Sequence, residues 1–384
     1  MTVTGASSAG GRGRVLVVGA SGLVGRAAVE RFAAAGWDVV AMSRRRPTGL
    51  DGVEHRAVDL TDADECAAAV ADLADVTHVV YAAVAERPGL FEGWVDDELI
   101  ERNATMAANL FDPLVDAAPG LRHVSLLHGT KAYGLHHPSL RDHSIDLPLR
   151  ERMPVRPHPN FYFRQEQHLR SLRDRGATFS LTMFRPTFVY GTAAGVNMNP
   201  LLAIAVYGAI LRELGEPLHF PGAAPDLLRE AVDASLLADA LVWAADVADG
   251  QHGDAVDGEA FNVTNGDLFT WTGAWPMIAD ALGMAVGEAR PTLLTTWLAE
   301  HADVWASMVD RSGSGLPKDV AAYVGENSIR YADLVLGSLG VGDRPIVNST
   351  IKLRHAGFAG CIDSLDMFDT LVRRLATEGA LPPP

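Results

Sequence analysis

Short apolar runs rich in β-branched residues alternate with helix-spaced stretches along the first half of the chain. Residues 15–18 form the first run, followed by a helical pattern over 22–35, a second run at 38–42, and a third at 53–57. A helical stretch at 63–73 precedes a fourth run at 78–83. Helical spacing over 98–118 then leads to a strand pattern at 121–127, a helix at 161–175 and a sixth strand at 179–185. Continuous rather than alternating apolar runs suit strands covered on both faces, so the pattern predicts an α/β fold with a doubly wound parallel sheet. Beyond Gly191 the regular beat is lost, and long helical patterns at 236–248 and 275–282 stand among irregular stretches. The expected organisation is a Gly/Ser-rich disordered lead at 1–13, a sheet domain at 14–190, and a smaller, mainly helical lobe at 191–384. Elements from 226–265 are candidates to complete the sheet.

Composition narrows the class. With 384 residues, 48% of them hydrophobic, the chain can bury a substantial core. A net charge of −16 argues against a broad nucleic-acid or anionic-membrane surface, while leaving room for a local basic pocket. Cys66 and Cys361 are too few for a disulfide framework, and the opening residues lack the apolar stretch of a secretory signal. The richest apolar segment, 200–211, falls short of the ~20 residues of a membrane span and is followed by Arg212, Glu213 and Glu216. A soluble, cytoplasmic protein is expected, and the sequence does not choose between a monomer and a homo-oligomer.

Chemistry begins at the end of the first strand. Gly19, Gly22 and Gly25 are spaced as GxxGxxG across a strand end and a helix start, with Ser21, Leu23 and Val24 between them. Glycines there permit a tight turn, close approach of a pyrophosphate to helix N–H groups, and close helix–strand packing. A dinucleotide site is predicted. Where an NAD site places an acid on the ribose 2′-hydroxyl, this chain has Ser43, Arg44, Arg45 and Arg46, which suit a 2′-phosphate. NADPH is therefore the expected cofactor. Asp59 and Leu60 fall near the adenine, and Ala82, Ala83 and Val84 under the cofactor; Pro186 and Val189 complete the expected site.

The usual Tyr-x-x-x-Lys of short-chain dehydrogenases/reductases is broken here: Tyr162 is followed by Glu166 where lysine is expected. A lysine stands instead at Lys131, in Gly129-Thr130-Lys131-Ala132-Tyr133 after the fifth strand, at the sheet edge where ligands bind. With Asn160-Phe161-Tyr162-Phe163, Phe184-Arg185-Pro186-Thr187-Phe188-Val189-Tyr190-Gly191, Asn197-Met198-Asn199 and Glu259-Ala260-Phe261-Asn262-Val263-Thr264-Asn265-Gly266, this pattern resembles the progesterone 5β-reductase/iridoid synthase-like (PRISE) family of extended short-chain dehydrogenases/reductases. The resemblance runs from Arg14 to near Gly360. It departs at Phe163, where a second Tyr is usual, at Gln167, where an Asp is customary, and after Tyr133.

The resemblance implies a Rossmann-type fold, catalytic Tyr162 and Lys131, and hydride transfer from NADPH to the β-carbon of an α,β-unsaturated carbonyl compound. It also implies a Lys131 contact to the cofactor. An ammonium beside Tyr162 is expected to lower its phenol from the ordinary value of about 10. The substrate is expected to be small, apolar and carbonyl-containing, covered by the lobe after Gly191, with Tyr133, Asn197, Met198, Tyr207 and Phe358 as pocket candidates. Direct carbonyl reduction or alcohol oxidation at the same site stays open, as do a nucleotide-sugar epimerase or dehydratase and a non-catalytic NADP sensor. Glu166 counts against the epimerase reading, and the Tyr162/Lys131 pair against the sensor. His123, His128, His136, His137, His143, His158 and His168 lack metal-ligand spacing, so no metal is expected. Glu151 and Glu166 are not read as paired catalytic carboxylates, and the tryptophans at 243, 271, 275, 297 and 305 are read as packing.

Overall fold

The structure, a computed structural model, describes residues 12–47, 49–50, 52–140, 145–339 and 345–383. Most of the predicted lead, residues 1–11, lies outside the described residues, as does His143; Arg12 is described and pairs with Asp246 at 3.1 Å.

The first half runs β1 (Arg14–Val18), α1 (Leu23–Ala34), β2 (Asp38–Met42), β3 (Glu54–Arg56), α2 (Ala63–Val70), β4 (Val76–Tyr81), α3 (Asp97–Ala117), β5 (His123–Leu127), α4 (Phe161–Asp174) and β6 (Ser180–Pro186). The second half continues with β7 (Val189–Tyr190), α5 (Pro200–Glu213), β8 (Leu218–Phe220), β9 (Val232–Asp233), α6 (Ala234–Ala248), β10 (Ala260–Val263) and α7 (Trp271–Ala281). Last come β11 (Val286–Ala289), α8 (Leu294–Glu300), α9 (Ala302–Ser312), α10 (Val320–Val324), α11 (Glu326–Leu336), α12 (Ile351–His355) and α13 (Ser364–Thr377).

Seven strands form one parallel sheet in the order β10-β6-β5-β4-β1-β2-β3. The fold is thus Rossmann-like and doubly wound, with its switch of direction between β1 and β4. The sequence pattern stopped at six strands because the seventh, β10, returns from beyond residue 190 to pair with β6. Period-two alternation decides which face each strand residue covers. Leu16, Val18, Val40 and Met42 face α2, α3 and α4, and Val15, Val17, Val39 and Ala41 face α1 and α6. A separate core joins α5, α7, α8, α9, α10, α11 and α13 around the buried Tyr207, Trp271 and Trp305. No helix among the described residues is long and apolar enough to cross a membrane.

Candidate cofactor and active site

A cavity of about 1220 Å³ opens along the C-terminal ends of β1, β2, β4, β5 and β6 and is closed by residues from the second half of the chain. Its first wall is the β1–α1 turn. Gly19 has φ +84° and a Cβ there would lie within 2.8 Å of the Ala82 and Ala83 backbone, so a side chain is excluded twice over. Gly22 caps α1 without any side chain, and no acid occupies the first helical turn. The open N–H groups and the positive end of the helix face the cavity, as a pyrophosphate requires. Ser21, Gly22, Leu23 and Val24 line this wall. Gly25 lies behind it, where a Cβ would run into the Gly19 carbonyl, which is the close packing its place in the triplet implies.

At the end of β2, Ser43 donates to the Arg45 carbonyl at 2.8 Å and lies 3.2 Å from His55 Nε2. Arg44 and Arg45 line the cavity and are exposed, and their guanidinium groups make no hydrogen bond or ion pair among the described residues. They are therefore available to an anion. Asp59 accepts the Thr61 N–H and hydroxyl at 2.9 and 2.8 Å, and these bonds, with smaller help from Arg44 and Arg102, hold its carboxyl below the usual range. Leu60, Ala82, Ala83, Val84, Pro186 and Val189 are also on the wall. These residues fit a dinucleotide, with two unpaired guanidinium groups at the β2 end.

The fifth strand and α4 deliver Lys131 and Tyr162, the two candidate catalytic side chains, to the same cavity. Residues Thr130–Tyr133 form a 3₁₀ turn after β5, and the Lys131 carbonyl is tied down by His158 Nε2 at 3.1 Å and by Asn160 Nδ2–H at 3.2 Å. Asn160 is also the N-cap of α4, its Oδ1 accepting the Tyr162 N–H at 3.0 Å. One asparagine thus fixes Lys131 and Tyr162 relative to one another. The Lys131 ammonium lies 4.4 Å from the Trp94 ring centre and 5.7 Å from those of Phe161 and Tyr162. Tyr162 stacks on His128 at 4.7 Å, and a Cβ on Gly129 would come 3.1 Å from its hydroxyl.

Burial corrects the expected acidity. It pushes the Tyr162 phenol up, with Glu86 and Tyr331 adding to the rise, so the hydroxyl stays protonated. Lys131 is instead pushed down by burial, partly offset by Glu86, whose own carboxyl is raised by burial. His128 is held neutral by burial and by Arg185.

Other candidates are placed elsewhere. Glu166 is absent from the cavity wall and accepts from Arg170 Nε at 2.9 Å. Asn197 and Met198 line the cavity, the latter at φ +56°. Tyr133, Tyr207 and Phe358 do not. Tyr133 donates to Asn262 Oδ1 at 2.7 Å, Tyr207 donates to the His219 carbonyl at 3.1 Å inside the helical core, and Phe358 packs on Trp243. Their aromatic side chains are used for internal satisfaction and packing. Sequence reasoning missed Glu86, Trp94, Arg102, Arg229, Arg330 and Tyr331 on the wall. Arg102 and Arg330 sit on ordinary helical faces, and no local spacing separates them from surface arginines. Among the described residues no group of three His, Cys, Asp or Glu is arranged to hold a metal ion.

The model of the NAD dependent epimerase/dehydratase family matches residues 15–263. A 3-oxo-Delta(4,5)-steroid 5-beta-reductase of Arabidopsis thaliana is 30% identical over 372 residues, covering 92% of this chain and 89% of that protein. An (S)-8-oxocitronellyl enol synthase of Camptotheca acuminata is 28% identical over 386 residues, covering 96% and 93%. Among solved structures, UDP-glucose 4-epimerase from Bifidobacterium longum in complex with NAD+ and UDP shares the fold, with a TM-score of 0.64 at 15% identity over 95% of this chain and 98% of that one.

Proposed function

Because the chain belongs to the NAD dependent epimerase/dehydratase family, and within it to the progesterone 5β-reductase/iridoid synthase-like group, we propose that it is an NADPH-dependent reductase of the C=C bond of an α,β-unsaturated carbonyl compound. The observation that carries this reading is the meeting of Lys131 and Tyr162 in one cavity, joined through Asn160, while Glu166 stays outside it. Ser21 to Val24 and the α1 N-terminus would hold the pyrophosphate, and Arg44 and Arg45 the 2′-phosphate. Bound NADPH supplies a hydride.

The protein's own part is electrostatic. Tyr162, a protonated phenol at neutral pH, donates a hydrogen bond to the substrate carbonyl oxygen, where negative charge accumulates as the β-carbon is reduced. The Lys131 ammonium, held over the Trp94 face, adds positive charge to the same region. Phe91, Trp94, Phe161, Phe188, Met198 and Leu334 give the cavity an apolar wall that excludes water and suits an apolar substrate. An NADPH-oxidation screen across enones, enals and isolated ketones, with products identified by mass spectrometry, tests the reading. Saturated carbonyl products are expected. Turnover confined to isolated ketones, or none with any conjugated carbonyl, contradicts it.

A further inference from the structure

Arg229 stands in the cavity wall with Leu228, just before β9, on elements separate from those that carry Lys131 and Tyr162. It is only 7% exposed, and its Nε and Nη2 have no hydrogen-bond partner. No carboxylate among the described residues forms an ion pair with it, and burial pushes its guanidinium down with only Tyr190 opposing. A buried charge without a partner is costly, so unpartnered guanidinium donors on a cavity wall single this residue out.

The local build fixes where the side chain starts and what surrounds it. The Arg229 N–H and carbonyl both bond Phe269 at 2.9 Å, which fixes the backbone from which the side chain projects. The adjacent acid, Glu230, is turned to Asn348, accepting its N–H at 3.0 Å and its side-chain amide at 2.6 Å, and so is not the missing partner. Nη2 comes close to Gly337, beyond the C-terminal end of α11, where the helix dipole favours a cation but supplies no hydrogen bond to it. Nε and Nη2 are thus left unpartnered within the protein, on a residue of the cavity wall.

We propose that Arg229 is a substrate-binding residue for an acid group, carboxylate or phosphate, carried on an otherwise apolar unsaturated carbonyl compound. A planar fork of N–H donors matches either anion. The inference rests on the reductase reading and names the substrate class for it.

The test uses enals of one chain length ending in a carboxylate, a phosphate monoester or a methyl ester, with NADPH and the full-length protein. Wild type is expected to prefer one of the acids over the ester by at least about tenfold in kcat/KM, and the preferred acid identifies the source of the anion. Arg229→Gln is expected to bring that ratio close to one, with the loss carried by KM, and Arg229→Lys to restore part of it. Equal efficiencies for acids and ester in wild type would overturn the proposal, as would an Arg229→Gln protein that kept the preference. Calorimetric binding of the matching saturated acids to the NADP+-loaded protein separates this inference from the reductase reading. Arg229-dependent binding supports the acid site even where no enal turns over, and absence of acid binding in wild type refutes it. If Arg229→Gln does not fold, the wild-type ratio and the Arg229→Lys protein still decide.

Discussion

A single phenol carries most of the chemical argument. Tyr162→Phe removes one oxygen and keeps the ring that stacks on His128, so folding and cofactor binding are expected to persist. Turnover is expected to fall roughly a hundred- to a thousandfold, the ~2.7–4 kcal/mol typical of one lost oxyanion donor. Lys131→Met is expected to slow turnover as well, whereas Glu166→Gln, altered outside the cavity, should stay near wild type. Steady-state rates of the three variants check this, and a dead Glu166→Gln beside an active Tyr162→Phe contradicts it. Arg44 and Arg45 carry the second residue-scale prediction. One charge-assisted bond to a 2′-phosphate contributes about 1.5–3 kcal/mol before solvent screening, so NADPH is expected to be preferred over NADH by roughly tenfold or more. The double variant Arg44→Ala/Arg45→Ala should lose that preference in kcat/KM; retention would move the phosphate site elsewhere. As candidates, Lys131, Arg44 and Arg45 were legible in the sequence because each sits a few residues past a strand, and Tyr162 because of the motif around it. Arg229 and Glu86 were not, since what distinguishes them, unpartnered burial for Arg229 and burial beside Lys131 for Glu86, is a property of the packed molecule.

At the scale of elements, the fixed points are the strand ends. β5 places Lys131 through the 3₁₀ turn, α4 places Tyr162 through its first turn, and Asn160 joins the two. The central strands were legible because both faces are buried and their apolar runs are continuous, whereas the edge strand β3 is short, polar and partly exposed. β10 was not counted among the six regular strands because its pairing with β6 is non-local, although it lies within 226–265, the range read as able to complete the sheet. Tyr133, Tyr207 and Phe358 show the opposite failure: proximity in sequence to family motifs suggested a pocket, but their side chains serve the core. Burial on β5 also sets a pH dependence. His123, bonded to Ser125 and Ser180, has its pKa lowered by burial from 6.5 to about 4, with Asp257 only partly opposing. The unfolded chain therefore binds this proton first as pH falls. The stability His123 contributes is complete above about 6.5 and is lost as pH drops through about 4. One proton corresponds to a slope of up to about 1.4 kcal/mol per pH unit. Urea unfolding of wild type and His123→Gln across this window should show a shallower acid limb in the variant; equal slopes would exclude His123 as its source.

The whole molecule brings a parallel sheet and a largely helical second half together around one cavity. Its cofactor end is built from short-range signals, the glycine turn and the arginines after β2, and these were readable residue by residue. Its far end is built from side chains spread over more than a hundred positions, from Phe188 through Arg229 to Tyr331, so only the folded chain shows them as one wall. That difference explains why the cofactor class was legible and the substrate was not. A C=C reductase and a carbonyl reductase deliver hydride to different carbons of an enal, and isotope placement distinguishes them. The protein is incubated with an enal and NADPH carrying deuterium at the transferred position, and the label is located by NMR in the product. Reduction of the conjugated C=C bond places deuterium on the β-carbon of a saturated aldehyde. Deuterium on the former carbonyl carbon of an allylic alcohol would contradict the account and identify a carbonyl reductase using the same Tyr162 and Lys131.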